Sequence, residues 1–457
     1  MQERAPTDQT MRRNHVIERV PAVAPDAAEA RARGLKLPRT FAALANYDYR
    51  MLWIGTLGSS MAMNMNMIAR GYLAYQLSGS AAILGAVSLA RALPQVVFTL
   101  FGGVFADRVN KRRLMLYTQS TSGLILLSTA MLVHSGLITI WLLVLLGFLE
   151  GSIFAFNMPA RQALVPELVE PKDVMNAVAL SNASMNATSI IGPSLAGLLI
   201  SLPFIGLTYV FYFMAACYII PVFMITQITP RFVGRARKHG SVLQEFRGGL
   251  SYVFHHDVLA MLLLIGFVPV ILGFSYQSLL PVFASSSVLN VGASGLGLMS
   301  TFAGIGGLTG SLFVASYTRA RRRGLMQLVT GASFGIFLAL FALSPNFYVA
   351  LGALLFVGFT ASVYRSLNST MLTMLCEPEY YGRVMSLNML GFTTSMLMPL
   401  PIGLVVDRVG PQPTIAVVGL IIALFVFAIA TFAKSYRRLE MDVTAERGSS
   451  APSRGAA

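Results

Sequence analysis

Apolar runs of about twenty residues recur along the whole chain, and short polar or basic segments separate them. A helix needs about this length to cross the hydrocarbon core of a bilayer. The runs do not alternate between apolar and polar positions as the strands of a membrane barrel do, so helices are favoured over a closed barrel. Twelve membrane-spanning helices are therefore predicted, at approximately 51–77, 82–105, 114–136, 139–160, 176–200, 205–228, 257–283, 295–318, 325–344, 347–370, 383–406 and 412–433.

Composition and charge placement support a membrane protein. Of the 457 residues, 55% are hydrophobic and 12% are charged, about half the charged fraction of a soluble domain. Lys and Arg cluster at the N-terminus and at 108–113, 231–247, 319–323 and 434–438, but are absent from the turns near 78–80, 135–136, 203–206, 285–294 and 345–346. Because this alternation follows the positive-inside rule, we predict an integral protein of the plasma (inner) membrane with both termini in the cytoplasm. The net charge of +15 is then explained without a nucleic-acid partner.

The predicted helices divide into two halves of six. We predict a disordered cytoplasmic tail over 1–40, a six-helix bundle over 41–228, a cytoplasmic linker with an amphipathic helix over 229–256, a second bundle over 257–433 and a cytoplasmic tail over 434–457. Gly192-Pro193 is answered by Met398-Pro399, 206 positions later, and Glu170-Pro171 by Glu377-Pro378, 207 positions later. The shared offset predicts a structural repeat, with substrate bound between the halves.

A basic segment at 102–113 joins the second and third apolar runs, and Gly102-Gly103 predicts a tight turn there. The segment resembles the loop between helices 2 and 3 of the major facilitator superfamily, roughly Gly-x-Leu-Ala-Asp-Arg-x-Gly-Arg-Lys, with Phe105 and Asn110 as departures. The matching residues are Gly103, Ala106, Asp107, Arg108, Lys111 and Arg112. The resemblance implies the all-α fold of that superfamily, two pseudo-symmetric six-helix bundles. It also implies that Asp107 latches the halves together on the cytoplasmic side, through a helix 11 N-terminus or through Arg161, within a gating motif of Gly103, Asp107, Arg108, Lys111 and Arg112. Ordinary anchoring at the cytoplasmic surface is an alternative that accounts for the cations but not for Asp107.

Helix 5 carries a second motif, Gly192-Pro193-Ser194-Leu195-Ala196-Gly197. It resembles the Gly-Pro-x-x-Gly-Gly sequence of the antiporter branches, with Ala196 in place of the first paired glycine. The alternative is a Pro-kinked helix that packs through small residues. The run 154–169, with 52–55 and 71–80, is similar to the enterobactin-exporter and macrolide-efflux branch. These resemblances imply export rather than uptake.

Polar side chains within apolar runs are candidates for a transport path, because their burial in a membrane is costly. The predicted substrate or proton pathway consists of Asn66, Arg70, Arg91, Gln95, Glu150, Asn157, Asn186, Tyr276 and Gln277. We predict that Glu150 takes up the proton, since desolvation disfavours its charged form, and that Arg91 holds an anionic substrate or modulates Glu150. Alternatively, Arg70 and Arg91 snorkel to the headgroups, or Glu150 is locked structurally to Arg91. Many drug antiporters of the superfamily have an Arg where this chain has Gly147.

No catalytic constellation is evident, so we predict that the protein is not an enzyme. It lacks a Walker loop, and Cys217 and Cys376 suggest neither a disulfide nor a metal site, so no metal or cofactor is predicted and a proton gradient is the expected energy source. The predicted function is secondary active export, as a proton antiporter, of amphipathic organic compounds of the siderophore or multidrug and macrolide type, by alternating access. The predicted partners are the lipid bilayer, protons and a small organic substrate, and the protein is expected to act as a monomer. Alternatives are an importer or facilitator of a small organic anion, and a non-transporting membrane receptor or scaffold.

Overall fold

The computed structural model describes residues 39–229, 253, 257–285, 288–316, 323–376, 380, 384, 387–388, 391 and 394–432, and only the backbone of 39–40, 99–108, 257–258 and 432. All regular structure in this part of the chain is helical. The predictions for the N-terminal tail before residue 39, for most of the linker and for the C-terminal tail lie outside these residues.

The first half contains seven helical segments. They are α1 (Tyr47–Ser78), α2 (Ala81–Arg108), α3 (Lys111–His134), α4 (Ile140–Leu168), α5 (Val174–Ser201), α6 (Gly206–Cys217) and α7 (Ile219–Thr226), with short 3-10 helices at Arg39–Ala45 and Pro171–Asp173. The second half contains α8 (Asp257–Gly273), α9 (Ser275–Ala284), α10 (Gly292–Ser316), α11 (Arg323–Ala342), α12 (Phe347–Leu375), α13 (Pro399–Val409) and α14 (Pro411–Phe432).

The starts of several helices are set by side-chain caps. Ser80, Asn110, Thr139 and Asn346 each accept a hydrogen bond from the backbone N–H three residues later, which satisfies one of the donors left free at a helix start. The cap at Asn110 corrects the tight turn predicted at Gly102-Gly103. Both glycines lie inside α2, the connection to α3 is only Val109 and Asn110, and Asn110 has φ −65°.

Ten segments in the described part of the chain are long and apolar enough to cross a membrane. Two of them are broken helices: α6 and α7 share the span 206–226 on either side of Tyr218, and α8 and α9 share the span 259–284 on either side of Phe274. The 32 residues of α1 extend over about 48 Å, enough to cross a bilayer. Together with α1 and the segment that ends in α13, these ten segments make up the twelve membrane-spanning segments that the sequence predicts. The protein is therefore a multi-pass integral membrane protein.

The packing of the core differs between the two ends of the bundle. We call the end that holds the α1–α2 turn and Asp407 the Asp407 end, and the end that holds the α2–α3 turn the basic end. Toward the Asp407 end, one apolar cluster includes residues of both halves, such as Met65, Leu84, Phe283 and Val406. Toward the basic end, each half has its own cluster. The halves are thus packed together at the Asp407 end.

Candidate functional site

Four polar residues from three helices of the first half form one buried cluster. Glu150 of α4 is 4% exposed and receives two hydrogen bonds from the Asn66 side-chain amide, at 2.8 and 2.9 Å. The Arg70 guanidinium lies 2.7 Å from one carboxylate oxygen, and the Arg91 guanidinium lies 3.6 Å from the other. We call Asn66, Arg70, Arg91 and Glu150 the charge cluster.

Two glycines of α4 make room for this arrangement. A Cβ at Gly151 would lie 2.0 Å from the Arg91 carbonyl oxygen, so only glycine lets α2 approach α4 so closely there. A Cβ at Gly147 would lie 2.9 Å from Nη1 of Arg70. Many drug antiporters carry an Arg at the position of Gly147. In this chain the guanidinium beside that position belongs to Arg70 of α1. Sequence reasoning did not use the Gly-x-x-x-Gly spacing of Gly147 and Gly151, which is typical of close helix contacts in membranes.

The charges of the cluster do not cancel. With all three groups ionised, two guanidinium groups face one carboxylate, which leaves a net positive charge inside the membrane-spanning region. The Arg70 and Glu150 side chains are each 6% exposed, whereas the Arg91 side chain is 23% exposed. Nε and Nη1 of Arg70, Nε of Arg91 and Oδ1 of Asn66 have no hydrogen-bond partner within the described part of the protein. Arg91 is thus the loosest and most accessible member.

The other predicted pathway residues do not join the cluster. Gln95 lies half-buried one turn beyond Arg91, Asn157 donates a 2.8 Å hydrogen bond to Thr118 of α3, and Asn186 is exposed on α5. In the second half, Tyr276 is buried with its ring edge toward Phe341, and Gln277 is half-buried. The structure therefore unites four of the nine residues.

One close contact between the halves at the Asp407 end involves a carboxylate. Asp407 of α13 accepts hydrogen bonds from the Ser80 hydroxyl at 2.5 Å and from the backbone N–H groups of Ala81 and Ala82 at 2.7 and 3.1 Å. One turn earlier, a Cβ at Gly403 would lie 2.4 Å from the Ala81 carbonyl oxygen. A carboxylate at the start of α2 is also favoured by the helix dipole.

Sequence reasoning missed Asp407, although a signal was present. The sequence Gly403-Leu-Val-Val-Asp407-Arg408-Val409 repeats the pattern of Gly103-Val-Phe-Ala-Asp107-Arg108-Val109 at an offset of 300 residues. The repeat places one such carboxylate at the end of α2 and another at the end of α13.

A small cavity of about 30 Å³ lies within the first half, between the charge cluster and the basic end. Ser59, Ser60, Met63, Gln119, Ser122, Phe154, Asn157, Arg161, Met185 and Tyr218 line it. Arg161 donates hydrogen bonds to the thioether sulfurs of Met158 and Met185, both at 3.0 Å. We call this space the Arg161 cavity.

Comparison with known proteins identifies the family. A model of the transmembrane secretion effector family matches residues 38–452, which is most of the chain. The chain belongs to the transmembrane secretion effector family. This family falls within the major facilitator superfamily, whose members are transporters and not enzymes, as predicted from the sequence.

Characterised relatives of this transporter are distant. The staphyloferrin A transporter of Staphylococcus aureus is 25% identical over 349 residues, covering 75% of this chain and 85% of the relative. Macrolide efflux protein A of Streptococcus pyogenes is 23% identical over 370 residues, covering 79% and 89%. The enterobactin exporter EntS of Escherichia coli is 22% identical over 341 residues, covering 72% and 76%.

Solved structures confirm the fold. The nucleoside transporter NupG superposes with a TM-score of 0.63 at 13% identity, covering 84% of this chain and 99% of NupG. A bacterial homologue of the iron transporter ferroportin, in its inward-facing state, also gives 0.63, at 16% identity, covering 84% and 98%. At such identities the likeness concerns the fold alone, and it confirms the predicted all-α arrangement of the major facilitator superfamily.

The structure describes the gating motif of this transporter only in part, and the helix 5 motif in full. Of the gating motif, Lys111 pairs with Glu167 at 2.5 Å, and Arg112 donates to the carbonyl oxygens of Ile225 and Thr226 at 3.0 and 2.7 Å. These contacts fasten the start of α3 to α4 and α7. Only the backbone of Gly103, Asp107 and Arg108 is described, so the Asp107 latch stays a prediction.

The helix 5 motif, in contrast, lies at the contact between the halves. A Cβ at Gly197 would lie 2.6 Å from the Cα of Gly297 in α10, and the hydroxyls of Ser194 and Thr301 are hydrogen-bonded across the same contact. Gly192 faces α1, where a Cβ would lie 2.8 Å from Cβ of Asn64, and Pro193 is buried within the helix. Small residues of the motif therefore allow α5 to pack closely against α1 of the first half and α10 of the second half.

Proposed function

We propose that the protein is a proton-coupled exporter of amphipathic organic compounds, of the siderophore or macrolide type, that works by alternating access. The charge cluster carries this proposal, because ionisable groups buried within membrane-spanning helices mark ion or substrate paths. The names of the relatives, which include a macrolide efflux protein and an enterobactin exporter, support export as the direction.

The orientation follows from the basic segments. If these segments lie in the cytoplasm under the positive-inside rule, the Asp407 end faces outward and the basic end faces inward. The halves pack together at the Asp407 end, so this arrangement is closed to the outside. Export then requires the contacts of Asp407 and Gly403 with α2 to break while the basic end closes.

Glu150 couples proton uptake to substrate binding in this proposal. Its carboxylate is held closely by Arg70 at 2.7 Å and more loosely by Arg91 at 3.6 Å. Protonation of Glu150 removes the charge that attracts Arg91, and so releases the more exposed guanidinium. Antiport then requires that the substrate binds only while Glu150 is ionised and paired with Arg91, so that proton and substrate occupy the cluster in turn. The rival role is a fixed ion pair that only stabilises the bundle.

Transport in proteoliposomes tests the coupling. We expect Glu150→Gln to abolish accumulation of substrate driven by an imposed pH gradient while substrate exchange without a gradient persists. Persistence of exchange shows that the variant is folded. Glu167→Gln is the control, since that carboxylate pairs with Lys111 near the membrane surface. Accumulation by Glu150→Gln at the wild-type rate would reject the coupling role.

The second candidate is an importer or facilitator of a small organic anion, which the net positive charge of the cluster favours. Direction of flux separates the two, because an exporter accumulates substrate in inverted vesicles and an importer in right-side-out vesicles. A receptor or scaffold would show no substrate-driven proton flux in either preparation.

Asp407 offers a test of alternating access itself. Asp407→Asn weakens the contact with the start of α2, and a loss of about 1 kcal/mol changes the ratio of the two states about fivefold. We expect cysteines placed at the Asp407 end of α2 to label faster with a membrane-impermeant maleimide, and Arg408→Gln to leave labelling unchanged. Unchanged labelling in Asp407→Asn would show that Asp407 does not hold this end closed.

A further inference from the structure

The Arg161 cavity has the size and the lining of a site for water. Its volume of about 30 Å³ is too small for an organic substrate but holds about two water molecules, since one needs roughly 10–15 Å³ of such space. Buried water typically makes about three hydrogen bonds to polar groups of the protein. The hydroxyl and amide side chains that line the cavity are those of Ser59, Ser60, Gln119, Ser122, Asn157 and Tyr218.

The helix faces that line the cavity continue into the charge cluster. On α4, the lining residue Phe154 lies four positions after Glu150, so both side chains are on one face. On α1, the lining residue Met63 lies three positions before Asn66, which places these two on one face as well. One helical turn is about 5.4 Å along the axis. The cavity therefore begins about one turn from the carboxylate, on the side of the basic end.

Tyr218 connects the cavity with the charge cluster. It lies at the break between α6 and α7, is 7% exposed and lines the cavity. Its hydroxyl interacts with the Ser122 side chain and electrostatically with Glu150 and Arg91. A phenolic hydroxyl both donates and accepts hydrogen bonds. On the cluster side, Oδ1 of Asn66 and Nε of Arg91 have no hydrogen-bond partner within the described part of the protein, and bound water commonly satisfies such atoms.

The charges around this space limit what can pass through it. Among the described side chains, the charged or titratable groups that face it are Arg161 and Tyr218 and, beyond them, Glu150 with its partners Arg70 and Arg91. Guanidinium groups thus lie on the cavity side and on the cluster side, and they repel a free cation. A long-lived hydronium ion is therefore disfavoured, whereas a proton can still be handed along a row of hydrogen-bonded oxygens.

We propose that the Arg161 cavity binds a short chain of water molecules through which Glu150 exchanges its proton with the basic end, and that the Tyr218 hydroxyl relays this proton. This inference rests on the proposed proton-coupled function and deepens it by naming the route. Protonated Glu150 gives its proton to the Tyr218 oxygen, and the Tyr218 hydroxyl gives its own proton to a cavity water, which passes one on toward the basic end. Tyr218 is then neutral again, and the ionised carboxylate pairs with Arg70 as the structure shows, at 2.7 Å.

Time-resolved infrared spectroscopy of the purified full-length protein tests the relay. After a light-triggered release of protons from a caged acid, the carboxylic-acid band of Glu150 grows, and its loss in Glu150→Gln assigns it. We expect Tyr218→Phe to slow this growth at least tenfold and to leave the final amplitude unchanged, because the variant removes the route and not the acceptor. Tyr212→Phe is the matched control, since the Tyr212 ring lies against His134, away from the cavity, and this variant should keep the wild-type rate.

A second variant keeps Tyr218 and removes the space for water. Ser122→Val fills part of the cavity with methyl groups and should also slow the growth of the band at least tenfold. Ser152→Val is its control, because the Ser152 hydroxyl bonds to the Phe148 carbonyl oxygen of its own helix, and the rate should not change.

Three results would overturn the proposal, and they differ in what else they affect. Wild-type rates in both Tyr218→Phe and Ser122→Val would reject the relay and leave proton coupling through Glu150 intact. A lower amplitude at an unchanged rate would mean that Tyr218 supports the structure around Glu150 and carries no proton. Absence of the Glu150 band from the wild-type protein under acid conditions would reject proton coupling itself, and the relay with it.

Discussion

The two halves share a helical plan but differ in how they satisfy buried polar groups. In the first half the charge cluster contains two guanidinium groups and a carboxylate. In the second half the buried Gln327 donates a 2.9 Å hydrogen bond to Asn368, whose own amide reaches Asn388 at 3.5 Å. All three of these side chains are neutral. The two halves thus share a helical architecture, but of these two polar clusters only the one in the first half contains ionisable side chains.

A further detail sharpens the contrast. Each half uses a glycine to admit a polar side chain between helices: a Cβ at Gly147 would lie 2.9 Å from Nη1 of Arg70, and a Cβ at Gly266 would lie 2.4 Å from Nδ2 of Asn368. The same packing device serves a charge in one half and an amide in the other. The two described cores therefore differ in charge, although the same packing device builds both.

The largest expected effect is on stability when the charge cluster loses its carboxylate. Glu150→Gln leaves the buried Arg70 guanidinium and the partly exposed Arg91 guanidinium without a counter-charge, and removal of one partner of a buried ion pair typically costs about 3–5 kcal/mol. Thermal unfolding in detergent measures it. Glu167→Gln, the matched change in the Lys111 pair, should cost less, because it leaves one cation without its partner, whereas Glu150→Gln leaves two.

Adding Arg91→Leu to Glu150→Gln should restore part of the loss, because it removes one of the two uncompensated cations. If Glu150→Gln were as stable as Glu167→Gln, the contrast between the halves would not be electrostatic, and the carboxylate would be neutral in the folded protein.

The sequence alone predicted the helices and the family-level fold, because both depend on local patterns: the length of apolar runs and the spacing of residues 103–112. It also singled out Arg70, Arg91 and Glu150, since an ionisable residue in an apolar run is conspicuous. Whether these side chains meet depends on how three helices rotate and approach, which the glycines at 147 and 151 decide. Helical spacing shows which residues share one face of a helix, but not which other helix packs against that face.

The same limit explains the two features that were missed. Arg161 was considered only as a partner for Asp107, since no pattern in the sequence reveals that its described acceptors are two methionines. Asp407 sits in a repeat of the Asp107 segment, but the offset of 300 residues does not match the 206–207 of the other repeated pairs. A carboxylate that links the two halves becomes evident only when α13 is seen against the start of α2.

An intermediate effect is expected in the neutral core. Asn368→Leu removes the side-chain oxygen that accepts from the buried Gln327 amide, at a cost of about 1–3 kcal/mol. Gln327→Leu combined with Asn368→Leu removes both partners and should cost less than the single change, since neither amide of the pair then remains in the core. Denaturant unfolding of the three variants measures the difference. A double variant less stable than either single variant would mean that the pair contributes net stability, and the second half would then depend on its polar core as strongly as the first.

The smallest expected loss of stability comes from a neutral substitution in each half, which is the control for the comparison between the halves. Both halves bury a tyrosine hydroxyl that donates to a backbone carbonyl: Tyr49 to Ala177 at 2.7 Å, and Tyr364 to Ile265 at 2.6 Å. Tyr49→Phe and Tyr364→Phe should each cost about 0.5–1.5 kcal/mol, because each removes a neutral hydrogen bond to a carbonyl without creating a cavity. Tyr49→Phe also removes a longer, 3.2 Å hydrogen bond with the Ser181 hydroxyl, so Tyr49→Phe combined with Ser181→Ala is compared with Ser181→Ala alone. Equal losses in thermal unfolding would show that the halves respond alike to a neutral change, so that the larger loss in Glu150→Gln belongs to charge. A clearly larger loss in Tyr49→Phe would instead mean that the first half is the more sensitive to any substitution, and the electrostatic reading of the contrast would no longer hold.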